Sequence, residues 1–264
     1  MRYILLLIFL IVVTIFVELG LVLDEIKIET LDTISKDSNI TTKSIDTNQT
    51  ISKSIESKID REPTIYEQLS TLGASIGDPV FIRIFKLTAE LELWIKVGDR
   101  YQLLHNYTIC RQSGYLGPKL KEGDLQGPEG FYYVSRARLN PNSKFHLSFN
   151  IGYPNKYDRI HHRTGSALMI HGDCVSVGCF AMTDEKIEEI YELVEKSLYS
   201  TEKIVRVHIF PFRMTDKNML YYRDRKWYKF WQNLKEGYDY FEENGIPPNV
   251  DVVDGRYTFG DIQL

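Results

Sequence analysis

The chain opens with apolar residues and then nearly loses them. After Arg2, Tyr3 to Val17 is an unbroken, almost wholly apolar run, and Leu19 to Leu23 carries it past Glu18. About twenty such residues can cross a bilayer, and a positive residue ahead of an apolar core is also the layout of a secretory signal. The run ends without a small-x-small triplet or a lipobox cysteine, so a signal-anchor and a cleaved signal peptide both fit residues 1–23. Arg2 before the run and Asp24-Glu25 after it favour an exported body. Residues 24–62 are rich in Ser, Thr, Asn, Asp and Lys, carry no aromatic residue, and space their isoleucines irregularly. Such a stretch buries too little to offset its ordering entropy and is expected to be a flexible polar tether.

From residue 63 the pattern changes to that of a folded body. "PVFIRIFK" (79–86) and "ELELWIKV" (90–97) alternate with the period of two expected of half-buried strands, and "YQLLHNYTIC" (101–110) follows after the turn Gly98-Asp99-Arg100. A Gly- and Pro-rich loop (113–130) leads into "FYYVSRARL" (131–139), and "KFHLSFNIGYP" (144–154), "GSALMIHG" (165–172) and "KIVRVHIFPF" (203–212) read as further strands. Between the last two, Thr183 can cap a helix whose face is Ile187, Ile190, Tyr191, Val194 and Leu198. A second helix is expected near 226–243, with Trp227, Phe230, Trp231, Leu234 and Tyr238 in one stripe. The expected class is mainly β (α+β): a largely antiparallel core over 63–214 with peripheral helices, and a helical extension over 215–264 packed on it.

Composition narrows the functions without choosing one. A net charge of −4 and a pI near 5.9 lack the basic footprint of a general nucleic-acid binder. No GxGxxG, no GxxxxGK and no long βαβ alternation is present, which disfavours nucleotide-binding folds. Three cysteines, Cys110, Cys174 and Cys179, are too few and odd in number for a disulfide framework.

Two of them lie in "MIHGDCVSVGCFAMTD" (169–184) beside His171. Zinc lacks a fourth ligand at familiar spacing, and a quiet Cys174–Cys179 disulfide is the plain structural alternative. The arrangement fits a nucleophile better. Cys179 follows Gly178, which lets the backbone turn and bring its amides to an oxyanion. It also precedes a helix start whose dipole favours a thiolate. His171 ends an apolar strand, and Gly172 lets the chain turn back towards the thiol. Cys174, mid-loop, is expected to be a packing residue and Cys110 a small buried hydrophobe.

These residues resemble a known family. His171-Gly172 followed by Ser176-Val177-Gly178-Cys179 is similar to the His-Gly and Ser-His/Asn-Gly-Cys signature of the YkuD-domain L,D-transpeptidases. "LGPKLKEGDLQGPEGFYYV", "FNIGYPNKYDR", "PFRMTD" and "GYDYFEENGIPPNVDVVDGRY" extend the resemblance, towards a murein-acting branch of that family, over 78–257. The resemblance implies a β-rich, cofactor-free periplasmic enzyme without a metal. Such an enzyme attacks the third residue of a peptidoglycan stem peptide, expels D-alanine and forms a thioester. Carried onto this chain, Cys179 is the nucleophile and His171 the base and acid, Ser176 orients the site, and Gly178 with the Cys179 amide supplies the oxyanion donors. "GPEG" (127–130) is expected to be a structural turn.

Two positions depart from the family pattern: Val177 stands for His or Asn, and Ala181 for a frequent Arg. Both changes remove polar contacts expected beside the thiol, leaving open whether an amine or water resolves the thioester. Gly172, Tyr153, Tyr157, Arg159 and Arg163 are candidate substrate contacts, the arginines for a stem carboxylate. The expected partners are peptidoglycan stems, a wall-linked lipoprotein and, through the N-terminal segment, a membrane. Nucleic acid is not expected. A hydrolase of the same linkages and a wall-binding module with an inert thiol are the competing readings. A papain-type protease fits poorly, because its Cys and His lie far apart in sequence.

Overall fold

The computed structural model describes residues 61–200 and 202–260. The expected membrane segment and nearly all of the expected tether lie outside them. Among the described residues no helix is long and apolar enough to cross a membrane. Pro63–Leu264 form a compact unit of their own.

Its first helix, α1 (Ile65–Leu72), starts at a capping box in which Thr64 and Glu67 satisfy each other's backbone amides, and it ends at Gly73 in the left-handed region. Three antiparallel strands follow: β1 (Val80–Phe85), β2 (Glu90–Val97) and β3 (Arg100–Thr108). The loop over 109–129 leads to β4 (Gly130–Val134), a 3-10 turn (Arg136–Arg138), β5 (Leu139–Ser143) and β6 (His146–Asn150). A short helix, α2 (Lys156–Ile160), then precedes β7 (Met169–His171) and β8 (Phe180–Ala181). The chain closes with α3 (Asp184–Ser200), β9 (Val205–Phe210), α4 (Asp216–Tyr221), α5 (Tyr228–Asn244) and a hairpin of β10 (Asn249–Val253) and β11 (Arg256–Gly260).

One sheet runs β3-β2-β1-β9-β4 and the other β5-β6-β7-β8. All pairings are antiparallel except β1 with β9 and β7 with β8. This is the mainly β, α+β architecture that the alternation predicts. Three readings need correction. The run over 131–139 is not one strand, since it breaks at the 3-10 turn. The C-terminal extension is not wholly helical, because it ends in the β10–β11 hairpin. Finally, β1 is not half-buried: all six of its residues are covered, because it lies at the centre of a sheet packed on both faces.

The two faces hold different cores. Ile82, Ile84, Val205, Val207 and Ile209 look into an aliphatic cluster shared with Phe149, Ile170 and the Ile187–Leu198 stripe of α3. Cys179 packs against this cluster. On the other face Phe85, Phe131 and Phe210 meet Trp231, Leu234 and Tyr238 of α5 together with Tyr257 of the hairpin. Arg83 is buried on that side, with Nη1 2.6 Å from Glu242 and the guanidinium among Phe85, Trp94, Tyr238 and Phe241. A charge survives in a central strand there because an acid and aromatic faces receive it.

"GPEG" is part of a buried polar hub. Glu129, fully buried, accepts from Lys86 Nζ at 3.1 Å, from the Gly117 amide at 2.6 Å and from Trp231 Nε1 at 2.8 Å. Lys86 also donates to the carbonyls of Gly117 and Gly127. Burial pulls the Lys86 ammonium down in pKa while Glu129 opposes the shift. The hub fastens the loop before β4 to α5.

Candidate active site

The two residues expected to carry the chemistry, His171 and Cys179, are positioned by a parallel pair of short strands. β7 and β8 run in register with Ile170 opposite Phe180 and His171 opposite Ala181. Cys179 stands one residue before β8, diagonal to His171 by two positions. Diagonal neighbours of this kind share a face of the sheet, with Cα atoms about 7–8 Å apart. The intervening loop is closed at its base by Met182 N–H to His171 O (2.7 Å) and Cys174 N–H to Met182 O (3.1 Å).

His171 is buried, with the Phe145 ring 4.9 Å from its own between centroids. Its Nδ1 lies 2.7 Å from the Gly172 carbonyl oxygen, so Nδ1 carries the hydrogen and Nε2 is left as the basic nitrogen. Burial lowers the pKa of this imidazole, against the Gly172 carbonyl and Asp173. Burial likewise pushes the Cys179 thiol up, only partly offset by a backbone hydrogen bond from Met169 and the charge of Lys119. Both shifts favour the neutral forms, so burial works against the thiolate that the helix start is expected to favour. Cys179 Sγ is 3.7 Å from the Ala167 carbonyl oxygen, and no hydrogen bond joins Cys179 to His171 among the described residues.

The other expected site residues fall less evenly. Gly172 is required for space: a Cβ there would meet Asp184 Oδ1 at 2.6 Å and Ile187 at 3.0 Å. Its amide donates to Phe145 O and Leu147 O, so it shapes the loop and does not contact substrate through that amide. Ser176 donates to the Cys179 carbonyl at 2.6 Å, so it ties the loop below the thiol and does not orient the histidine. The Gly178 amide is taken as well, donating at 2.7 Å to Ser113 Oγ. The Cys179 amide has no acceptor among the described residues, so the oxyanion donor narrows to that group. Ser113, which also donates to Leu125 O at 2.8 Å, went unnoticed in the sequence. It lies 65 residues before Gly178, and no local pattern marks it.

The proposed substrate contacts are mostly structural. Tyr153 is buried, its hydroxyl donating to Lys119 O and Thr164 O. Tyr157 stacks on Tyr257 with ring centroids 4.3 Å apart. Arg163 is buried in an ion pair with Asp158 at 2.8 Å, which leaves no guanidinium for a stem carboxylate. Arg159 is exposed, but it donates to the Pro154 carbonyl and lines a cavity that contains no residue of the 171–181 segment. Of the two departures from the family pattern, Val177 is 70% exposed, whereas Ala181 is fully buried opposite His171. The first changes the open surface beside the thiol and the second changes packing under the imidazole.

The cysteines need the largest correction. Cys110 and Cys174 form a disulfide, with Cα atoms 5.3 Å apart, and Cys179 is the free thiol. Neither partner is a buried hydrophobe, and the Cys174–Cys179 alternative is excluded. The Cys110 amide donates to Ala181 O at 2.9 Å, and Arg111 bridges to Ala181, so the end of β3 already lies beside β8 before the disulfide joins it to the loop. Backbone strain collects in the same place, with left-handed φ at Ala167, Asp173 and Cys174.

Residues 94–209 match the YkuD family, the L,D-transpeptidase catalytic domain. Over 183 residues the chain is 52% identical to the "Putative L,D-transpeptidase YafK" of Escherichia coli K12, an alignment covering 69% of this chain and 74% of that protein. Among solved structures, the helical cell shape determining protein Pgp2 (K307A mutant) from Campylobacter jejuni aligns at 20% identity and a TM-score of 0.42, over 66% of this chain and 61% of that one. Bd1075 of Bdellovibrio bacteriovorus aligns at 22% identity and a TM-score of 0.36, over 62% of each chain. With the signature residues gathered at one loop and half of the aligned sequence shared with a curated relative, the chain belongs to the L,D-transpeptidase family of YkuD-domain proteins.

Proposed function

We propose that this protein is an exported cysteine acyltransferase that acts on peptidoglycan stem peptides through a thioester at Cys179. The observation that carries the reading is a lone free thiol diagonal to a buried histidine whose Nδ1–H is committed to a backbone carbonyl, leaving Nε2 as base. His171 takes the thiol proton as Sγ attacks the carbonyl carbon of the third stem residue. The oxyanion meets the Cys179 amide. His171 then returns the proton to the departing D-alanine amine, the C–N bond breaks, and a thioester remains. In the second half the same imidazole takes a proton from the acceptor and returns it to the thiol.

The acceptor is the open part of the reading. An amine of a second stem gives a cross-link and water gives hydrolysis. Exposed Val177 leaves an apolar surface where the family pattern has His or Asn, which keeps water as a second reading, including release of wall-linked lipoprotein. Export is supported by the apolar N-terminal run and by the Cys110–Cys174 disulfide, which is at home in an oxidising compartment.

The test is incubation of the detergent-solubilised chain and its Cys179→Ala variant with tetrapeptide muropeptides and with lipoprotein-linked muropeptides, read by mass spectrometry. Dimers with loss of D-alanine assign transpeptidation; monomeric products or released lipoprotein remnants assign hydrolysis. Products that persist in Cys179→Ala would overturn the thiol mechanism. Because burial lowers the imidazole and raises the thiol, the acid limb of the acylation rate is expected to fall below the ordinary histidine range, and iodoacetamide labelling of Cys179 to rise only above the ordinary cysteine range. A labelling midpoint below the ordinary cysteine range would mean that a thiolate–imidazolium pair is the resting state.

A further inference from the structure

Against the opposite face of the five-stranded sheet lies a cavity of about 350 Å³ that the chemistry at Cys179 does not use. Four cations line it: Arg138 from the turn after β4, Lys156 and Arg159 from α2, and Arg206 from β9. A single carboxylate, Asp251, answers them, and it pairs with Lys156 at 2.7 Å. Arg206 makes no hydrogen bond or ion pair among the described residues, although it faces its neighbours electrostatically. His208, also in the lining, is 1% exposed, and its Nδ1 is buried without a partner.

The wall beside these cations is β4, the edge strand of its sheet. Its Phe131 carbonyl accepts from Asn155 Nδ2 at 2.9 Å and its Tyr133 carbonyl from Arg138. Side chains therefore stand where a further strand would lie. Three of the four cations are held at separate places, Arg138 at Tyr133, Arg159 at Pro154 and Lys156 at Asp251. Charges spread in this way suit an extended chain with separated anions better than one compact polyanion.

We propose that this cavity is a second binding site, taking a short extended peptide that carries two or more carboxylates beside β4. The peptide's carboxylates would meet Arg206, Arg138 and Arg159, and its main chain would lie outside the Asn155 and Arg138 side chains that already occupy the strand-edge carbonyls. The site does not depend on the reaction at Cys179.

Calorimetry on the full chain in detergent, in the Cys179→Ala background, tests it with three probes: the peptide Glu-Ala-Glu-Ala, its glutamine counterpart, and inorganic pyrophosphate. The acidic peptide is expected to bind with an affinity that falls with salt, and the glutamine peptide at least tenfold more weakly. Arg206→Glu should weaken the acidic peptide tenfold or more. Arg206→Gln, which keeps a polar side chain there, should weaken it severalfold at an unchanged melting temperature. The His208 ring nitrogens should shift on titration. Peptide binding that is absent, or equal in both Arg206 variants, would overturn the site. Pyrophosphate binding without peptide binding would overturn the peptide.

Discussion

The two faces of the five-stranded sheet solve different problems. On the aliphatic face, His171 ends one very short strand and Cys179 stands just before another, in a loop held by a disulfide and tight hydrogen bonds, with left-handed residues at Ala167, Asp173 and Cys174. On the aromatic face, Arg83, Glu129 and Lys86 are buried beside a large hydrophobic cluster, with Arg83 paired to Glu242 and Lys86 to Glu129. The residues proposed for the chemistry lie where the backbone is locally strained and covalently clamped. Bulk stability is placed where long elements pack. The clamped face should therefore lose function before it loses its fold, and the aromatic face should do the reverse.

The sharpest test of that division is Cys179→Ala. Removing a partly exposed thiol from the loop should abolish any stem-peptide adduct detectable by intact mass, while the melting temperature stays within a few degrees. An adduct at another residue would move the nucleophile. On the other face Glu129→Ala should do the opposite. It strands the buried Lys86 ammonium and the Trp231 N–H, and the cost expected for breaking a buried pair is about 3–5 kcal/mol. Chemical denaturation reads that loss directly. A change below 1 kcal/mol would show that the hub is hydrated or already neutral.

How much of this was legible in the sequence follows the same division. The helices α3 and α5 announce themselves by period, because each turns one stripe to one core, whereas β1 and β9 are legible as short apolar runs and face both cores. His171 and Cys179 are legible because eight residues and two glycines confine them to one loop. What could not be read is long-range. The Cys110–Cys174 disulfide joins residues 64 apart, Ser113 reaches Gly178 across 65, and Glu129 meets Trp231 across 102. Periodicity carries no signal at those distances. Tyr157 and Arg163, expected as candidate substrate contacts, differ from that expectation for a related reason: Arg163 pairs with Asp158 inside the fold and Tyr157 stacks on Tyr257 from the far end of the chain.

Intermediate effects are expected at the clamp itself. Closing 64 residues with a disulfide stabilises by about 4 kcal/mol if only chain entropy counts, and by about 2–4 kcal/mol in typical proteins. The paired Cys110→Ser, Cys174→Ser variant should lose stability in that range and lose acylation by more than its unfolded fraction explains, because the strained loop is released first. Equal activity per folded molecule would show that backbone hydrogen bonds alone hold the loop.

Ser113 should show the smallest effect and separates positioning from packing. Its hydroxyl accepts from the Gly178 amide and donates to the Leu125 carbonyl, joining the loop before β4 to the residue next to the nucleophile. Ser113→Ala removes about 0.5–1.5 kcal/mol of hydrogen bonding at a partly buried site. If the bond only packs two loops, the loss appears in the melting curve and the acylation rate per folded molecule is unchanged. If it restrains the Gly178 amide, freeing that amide gives the oxyanion a second donor beside Cys179 N–H, and the rate holds or rises while stability falls. A positioning role for the Gly178–Cys179 turn instead predicts a rate lowered up to tenfold, with Ser113→Thr, which keeps the hydroxyl, restoring it. Only that last pattern shows that the far loop, and through Glu129 the aromatic face, reaches into the chemistry.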